Sequence, residues 1–440
     1  MYQKIILEGG RRLKGEVTIS GAKNAALKLM AAALLLEDTS EIYNIPELTD
    51  VVTMASLLQT LGAEVDYDIK EKKIIINATN INNVEAHYDF VSKMRASFVV
   101  LGALVGRFHE AKVALPGGCS IGERRIDLHI KGLEALGAQV KIEGGYVIAK
   151  AKKLVGTKIY LDRPSVGATE NIMLAAILAE GSTILNNAAQ EPEIIDLANF
   201  LNAMGADVNG AGTSEIIING VKQKDLKAVT YTTIPDRIEA GTYIAAIAAT
   251  KGKAIIKNIF PNHLSAVTSK VIEMGGKVTI LDPFSMEISC NTRLNATNIV
   301  TQPYPGFPTD LQSPFISALL MAEGISIITE SIYENRFRQI GELRRMGADV
   351  QQESHKAIIK GVKQLTGAQV IASDLRAGAS LVVAALCADG TTEISDIHHI
   401  DRGYEKIVDK LSGLGAYIKR VDIDETNLDG KIINIEENSY

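Results

Sequence analysis

Two helical patterns of hydrophobic residues alternate along the chain. The first is amphipathic and stops at a glycine: LLQTLGAEV, LEALGAQV, LNAMGADV, VIEMGGKV, LRRMGADV and LSGLGAYI reach Gly62, Gly137, Gly205, Gly275, Gly347 and Gly415. Glycine suits a helix C-terminus, where the chain needs a residue that accepts positive φ. Each glycine is followed by an alternating run such as AEVDYD or AQVKIE, which reads as a strand. The second pattern is apolar nearly all round: ALKLMAAALLLE, SFVVLGALVGRF, NIMLAAILAEG, GTYIAAIAATKG, SPFISALLMAEG and ASLVVAALCADG. Such helices are buried on every side, and they fall well short of the ~20 residues that span a bilayer.

The glycines recur at intervals of 75, 68, 70, 72 and 68 residues, so the chain contains six copies of one unit. Each unit has one buried helix, one capped amphipathic helix and alternating strands such as KIIINA, YVIAK and EIIING. Helices then lie inside and sheets outside, the reverse of the usual α/β layering. At 440 residues the chain exceeds one core. The expected architecture is α/β, with two inside-out α/β barrel domains of three units each. A continuous solenoid is the alternative, disfavoured because the terminal units lack polar caps.

Charge and cysteine content narrow the function classes. With 46 basic against 52 acidic residues and a net charge of −6, the chain lacks the basic footprint of a general nucleic-acid binder. Its start, MYQKIILEGGRRLKGEV, is unlike a signal peptide, and no membrane insertion is expected, so the default location is cytoplasmic. Cys119, Cys290 and Cys387 have neither metal-ligand spacing nor an even count for a disulfide framework. No metal site is indicated.

The entries to the apolar helices carry the candidate chemistry. They read SGAKNAAL (Lys23, Asn24), KMRAS (Arg95), PSVGATEN (Ser165 to Gly167), PDRIEAGT (Arg237), FPTDLQS (Asp310) and SDLRAGAS (Arg376). A helix N-terminus attracts anions and disfavours cations by ~0.3–1 kcal/mol. Repeated use of that unfavourable placement points to an anion-binding cleft between the domains, although each cation singly reads as a solvated first-turn residue. Thr309 and Asp310 equally suit ordinary helix capping. Arg402 reads alone as a surface partner of Asp401 or Glu405. The segment LPGGCSIGERRIDLHI sets Cys119 beside Arg124 and Arg125, and falls where another unit has the short strand-to-helix connection IYNIPELTD.

The segments SGAKNAAL, MRAS, LPGGCSIGERRIDLHI, EPEI, PDRIEAGT, YPGFPTDLQ, ENRF, DLRA and IDRGYE resemble the enolpyruvyl transferases, in the branch whose acceptor is a UDP-sugar. The resemblance covers essentially the whole chain. It implies two inside-out barrels with the active site between them, residues 1–22 and 234–440 forming one discontinuous domain and 23–233 the domain with the Cys119 loop. The implied reaction moves the enolpyruvyl group of phosphoenolpyruvate to the 3'-hydroxyl of UDP-N-acetylglucosamine and releases phosphate, the first committed step of peptidoglycan synthesis. No cofactor is implied.

The same resemblance assigns Cys119 as the general acid, able to carry a 2-(S-cysteinyl)pyruvic acid adduct and to react with the epoxide fosfomycin. It gives Asp310 as the base and Lys23 as a catalytic cation. Phosphoenolpyruvate is expected against Lys23, Asn24, Arg124, Arg336, Arg376 and Arg402. UDP-N-acetylglucosamine is expected against Asn24, Arg95, Arg124, Arg125, Ile126, Asp127, Leu128, Ser165, Val166, Gly167, Asp310 and Ile332. Arg125 stands where the family often has proline, which removes a φ constraint from the loop. Cys290 and Cys387 are expected to be inert.

Overall fold

A computed structural model describes residues 2–116 and 126–423. The buried helix of each unit precedes the amphipathic one. The order is α1 (Lys23–Ala32), α2 (Thr49–Thr60), α3 (Val100–Phe108), α4 (Asp127–Ala135), α5 (Val166–Ala176), α6 (Pro192–Ala203), α7 (Arg237–Ala249), α8 (Ser265–Glu273), α9 (Gln312–Leu320), α10 (Ile340–Arg345), α11 (Leu375–Cys387) and α12 (Ile407–Gly413). The apolar runs are enclosed: every residue is buried from Ala168 to Ala176, Ile238 to Ala249, Gln312 to Leu320 and Arg376 to Leu386.

The amphipathic helices stop where the pattern predicts. All six repeat glycines have φ between +87° and +105°. At Gly62 the turn closes through Gly62 N–H to the Gln59 carbonyl at 3.0 Å and Ala63 N–H to the Leu58 carbonyl at 3.1 Å. A side chain at that φ would be strained, so glycine is the residue that allows the strand to begin at once.

Among the described residues, six four-stranded sheets repeat one order. In the second unit Glu85–Ala86 runs parallel to Glu110–Ala114, which pairs antiparallel with Tyr146–Lys150, which pairs antiparallel with Gln139–Glu143. Two sheets borrow strands from the chain's N-terminal segment. Lys14–Thr18 lies parallel to Lys253–Lys257, and Tyr2–Glu8 sits between Thr391–Ser395 and Tyr417–Ile423.

The sheets and helices enclose two hydrophobic cores. One draws on residues from Ala26 to Val229 and belongs to what we term the inserted barrel. The other, in the discontinuous barrel, combines residues from Ile5 to Ile19 with residues from Ile238 to Ile418. This is the two-barrel, helix-inside architecture. The chain passes between barrels twice along paired segments, with Ala22 N–H on the Ile234 carbonyl at 2.7 Å and Asp236 N–H on the Ser20 carbonyl at 2.9 Å. The Asp236 carboxylate caps α7 through Ile238 and Glu239 N–H, and also accepts the Lys23 N–H of α1 at 3.3 Å. No helix among the described residues is long and apolar enough to cross a membrane.

Close helix packing in the inserted barrel depends on small residues. A Cβ built on Gly102 of α3 would stand 2.2 Å from the carbonyl oxygen of Asn171 in α5. Gly102→Ala is therefore expected to cost about 1–3 kcal/mol, read as a lower urea midpoint with an unchanged slope. An unchanged midpoint would show that α3 and α5 separate freely.

Candidate active site

Lys23 and Arg376 at the entries to α1 and α11, with Arg336 and Arg402 from the segments ahead of α10 and α12, bring cations from both barrels to two aspartates. Asp310 lies in the short turn Thr309–Leu311 ahead of α9. It does not cap that turn, as its residue type allowed. Arg336 Nη2 donates to its Oδ1 at 2.5 Å and Arg376 Nη2 to its Oδ2 at 2.9 Å. Arg336 also reaches Thr309 Oγ1 at 3.0 Å, and Arg376 Nη1 donates to the Tyr404 hydroxyl at 3.0 Å. Burial opposes charge on Asp310, but the two guanidiniums outweigh it and hold the carboxyl well below its ordinary value.

Asp50, in the first turn of α2, forms the second centre. Its Oδ2 accepts from Lys23 Nζ at 2.9 Å and its Oδ1 from Arg402 Nε at 2.9 Å. Arg402 thus reaches across to the inserted barrel. The expected surface pairs are replaced: Asp401 binds Arg420, and Glu405 binds Lys72 at 2.8 Å and the Ser20 hydroxyl. Burial opposes charge on Glu405, while the Glu47 N–H, Lys72 and Ser20 hold it down at about 2. Arg237, the cation at the entry to α7, is committed to Glu193 in the inserted barrel, with Nε to Oε1 at 3.0 Å, and lies over the Tyr304 ring.

Apart from Ile332, the remaining expected contacts among the described residues belong to the inserted barrel. Ser165 caps α5 by accepting from Ala168 N–H, with Val166 and Gly167 in its first turn. The His129 ring lies against Gly167, where an added Cβ would meet it at 3.1 Å. Gly102 N–H donates to Asn171 Oδ1 at 2.6 Å, so Asn171 Nδ2 is the donor to His129 Nδ1 at 2.8 Å. Burial, reinforced by Arg95 and Lys28, pushes the imidazole down to about 3, so His129 is neutral with its proton on Nε2. Asp127 opens α4 and pairs with Arg163 at 3.0 Å, Leu128 is buried and Ile126 half-buried. Asn24 is half-buried in the first turn of α1. Ile332 N–H is fixed by Glu330 Oε1 at 2.8 Å.

Comparison with known proteins places this geometry. The family model described as EPSP synthase (3-phosphoshikimate 1-carboxyvinyltransferase) matches residues 7–411. The UDP-N-acetylglucosamine 1-carboxyvinyltransferase 2 of Carboxydothermus hydrogenoformans is 53% identical over 420 residues, covering 95% of this chain and 99% of that protein. The chain belongs to the UDP-N-acetylglucosamine 1-carboxyvinyltransferase family. The enzyme of that name from Gloeobacter violaceus is 51% identical over 94% of this chain and 90% of its own length. The crystal structure of the enolpyruvyl transferase NikO from Streptomyces tendae superposes with a TM-score of 0.87 at 25% identity, covering 96% of this chain and 100% of that one.

Of the residues expected for this carboxyvinyltransferase family, Cys119, Arg124 and Arg125 lie outside the described residues. The described elements flanking them in the chain are strand Glu110–Ala114 and α4. Cys290 is buried and Cys387 half-buried; burial pushes their thiols up to about 11 and about 12. The partners Asp50, Tyr404, Glu193 and Glu330 were not found from sequence. Asp50 does follow Pro46 in the IYNIPELTD connection, but an acid there reads as ordinary helix-dipole complement.

The Asp310 clamp has a pH signature. Its folded-state value lies below the unfolded ~3.9, so the carboxylate contributes stability above about pH 4 that is lost as pH falls from there toward the folded value. Asp310→Asn is expected to lower the urea midpoint at pH 7, with the deficit narrowing below about pH 4. A deficit constant across that range would assign it to something other than the ionised clamp.

Proposed function

We propose that the cleft transfers the enolpyruvyl group of phosphoenolpyruvate to the 3'-hydroxyl of UDP-N-acetylglucosamine by addition and elimination, releasing inorganic phosphate, as the first committed step of peptidoglycan synthesis. The observation that carries this reading is the gathering of four cations from both barrels on two aspartates. Phosphoenolpyruvate has two anionic ends, and two cation pairs suit them. Lys23 and Arg402, with Arg124, hold the phosphate; Arg336 and Arg376 offer planar forks to the carboxylate. Asn24 lies beside Lys23 at the sugar.

Cys119 gives its proton to the methylene carbon, which becomes a methyl group and leaves C2 electrophilic. The acceptor oxygen bonds to C2 as Asp310 takes the hydroxyl proton. Return of a methyl proton to the Cys119 thiolate then restores the double bond as the C2–O bond to phosphate breaks and phosphate leaves. The cations stabilise the charge that moves between carboxylate, C2 and phosphate. UDP is held by Arg95, Arg124 to Leu128, Ser165 to Gly167 and Ile332, where the first turn of α5 offers N–H groups to the diphosphate.

On the same reading the domain boundaries fall at 22/23 and 233/234, supported by the paired crossing segments and the separate cores. We assign the reaction to the cytoplasm, where the free thiols of Cys290 and Cys387 stay reduced.

Purified protein is expected to release phosphate from phosphoenolpyruvate only when UDP-N-acetylglucosamine is present, followed by a coupled phosphate assay. Release with shikimate 3-phosphate, or with no acceptor, would overturn the assignment.

Cys119→Ala is expected to abolish turnover while leaving the thermal midpoint unchanged. Intact-mass analysis should locate fosfomycin on Cys119, because the raised thiols of Cys290 and Cys387 supply almost no thiolate at pH 7. Equal labelling of all three would remove Cys119 from its role.

A further inference from the structure

We infer that Asp50 is a positioning residue that draws one phosphate-binding cation from each barrel to a single site. The inference rests on the phosphoenolpyruvate reading and adds a residue to it. The Asp50 side chain is 5% exposed, and both of its oxygens are taken, one by Lys23 of the inserted barrel and one by Arg402 of the discontinuous barrel. It does not serve α2 as a cap, since the N-cap position is Leu48 and makes no side-chain capping bond.

The form of the two bonds leaves the cations usable. Arg402 is held through Nε alone, and its two Nη groups have no partner among the described residues. About a third of that side chain is exposed. Lys23 uses one N–H on Asp50 and has others to donate. A carboxylate on the inner side of both cations therefore fixes their positions and turns their remaining donors outward to a shared anion.

Electrostatics support the same role. The charged groups facing Lys23 are Asp50 from α2, Asp236 from the crossing segment, Arg376 from α11 and Arg402. Burial is the largest influence on the ammonium and lowers its pKa; Asp50 opposes that, while Arg376 and Arg402 push further down. Without Asp50, Lys23 would lose its proton more readily and Arg402 would approach an uncompensated cation.

The experiment compares wild-type protein, Asp50→Asn and Asp50→Glu in steady-state kinetics from pH 6 to 10. Simple charge counting predicts that removing an anion beside an anion site strengthens binding. Positioning predicts the opposite: in Asp50→Asn, kcat/KM for phosphoenolpyruvate falls about 100-fold while KM for UDP-N-acetylglucosamine is unchanged. The alkaline limb of the phosphoenolpyruvate profile moves down by about one pH unit, because the protonated Lys23 is lost sooner as pH rises. Asp50→Glu, which keeps the charge, returns the limb to its parental pH.

An unchanged or higher kcat/KM in Asp50→Asn overturns the role. So does an equal weakening of both substrates with the limb unmoved, which marks a structural effect. Asp50→Ser carries the same expectation and replaces the asparagine variant if that one does not fold. Titration calorimetry with inorganic phosphate separates this inference from the activity reading. Weaker phosphate binding by the variant supports Asp50 even where the wild type fails to turn over, and unchanged binding refutes it.

Discussion

Burying positive charge at the open ends of helices is the constraint around which the candidate site is built. A cation at a helix N-terminus is opposed by the helix dipole, and moving a guanidinium out of water costs several kcal/mol more unless it is paired. The chain meets both costs locally. Asp310 and Tyr404 bond to Arg376, Asp310 and Thr309 to Arg336, Asp50 to Lys23 and Arg402, and Glu193 to Arg237. Net charge of the whole protein is then irrelevant to whether it can hold an anion. What matters is that each cation already has a fixed position, so that a substrate need not order long side chains as it binds.

The same pairing joins the barrels. Lys410 and Glu239 meet at 2.5 Å beside Ser20, whose hydroxyl bonds to Glu405, and Glu405 in turn accepts the Glu47 N–H and Lys72 from the inserted barrel. Three residues before Glu405 in the chain, Arg402 reaches Asp50. One short segment thus supplies both an anchor near the crossing strands and a cation in the cleft. The interface near the crossing is polar, unlike either core, and polar interfaces between domains are the kind that allow relative motion. Movement of one barrel against the other would change the Asp50–Arg402 pair directly.

The sequence made the scaffold and the cations legible for a physical reason. Glycine at positive φ and a helix apolar on every face are local requirements, visible wherever they recur, and six recurrences fixed the unit. Cations at helix entries break a local preference, so they too stand out. The carboxylates that answer them do not: Asp50 and Asp310 sit where an acid reads from sequence as an ordinary dipole complement or helix cap. Their actual partners lie beyond any local window, from 26 residues for Arg336 and Asp310 to 352 for Arg402 and Asp50. Arg237 illustrates the converse, a cation with the right local signature that proves to be engaged by Glu193 at the barrel junction.

The two cleft aspartates differ in a way that separates their proposed tasks. Asp50 is 5% exposed, whereas a quarter of the Asp310 side chain is open. A carboxylate with both oxygens on guanidiniums stays ionised yet is a weak base, because its lone pairs are engaged and its pKa is held low. On the proposed chemistry, the carboxylate of phosphoenolpyruvate competes with Asp310 for Arg336 and Arg376. Relieved of those bonds, Asp310 becomes more basic and, being partly open to the cleft, is free to take the acceptor proton. On that chemistry, arrival of one substrate would activate the group that deprotonates the other, and Asp310 paired in this way would stay inactive until then. Asp50, enclosed and with its cations bonded only in part, would have no such exchange to make on that chemistry and would remain in place while the phosphate binds beyond it.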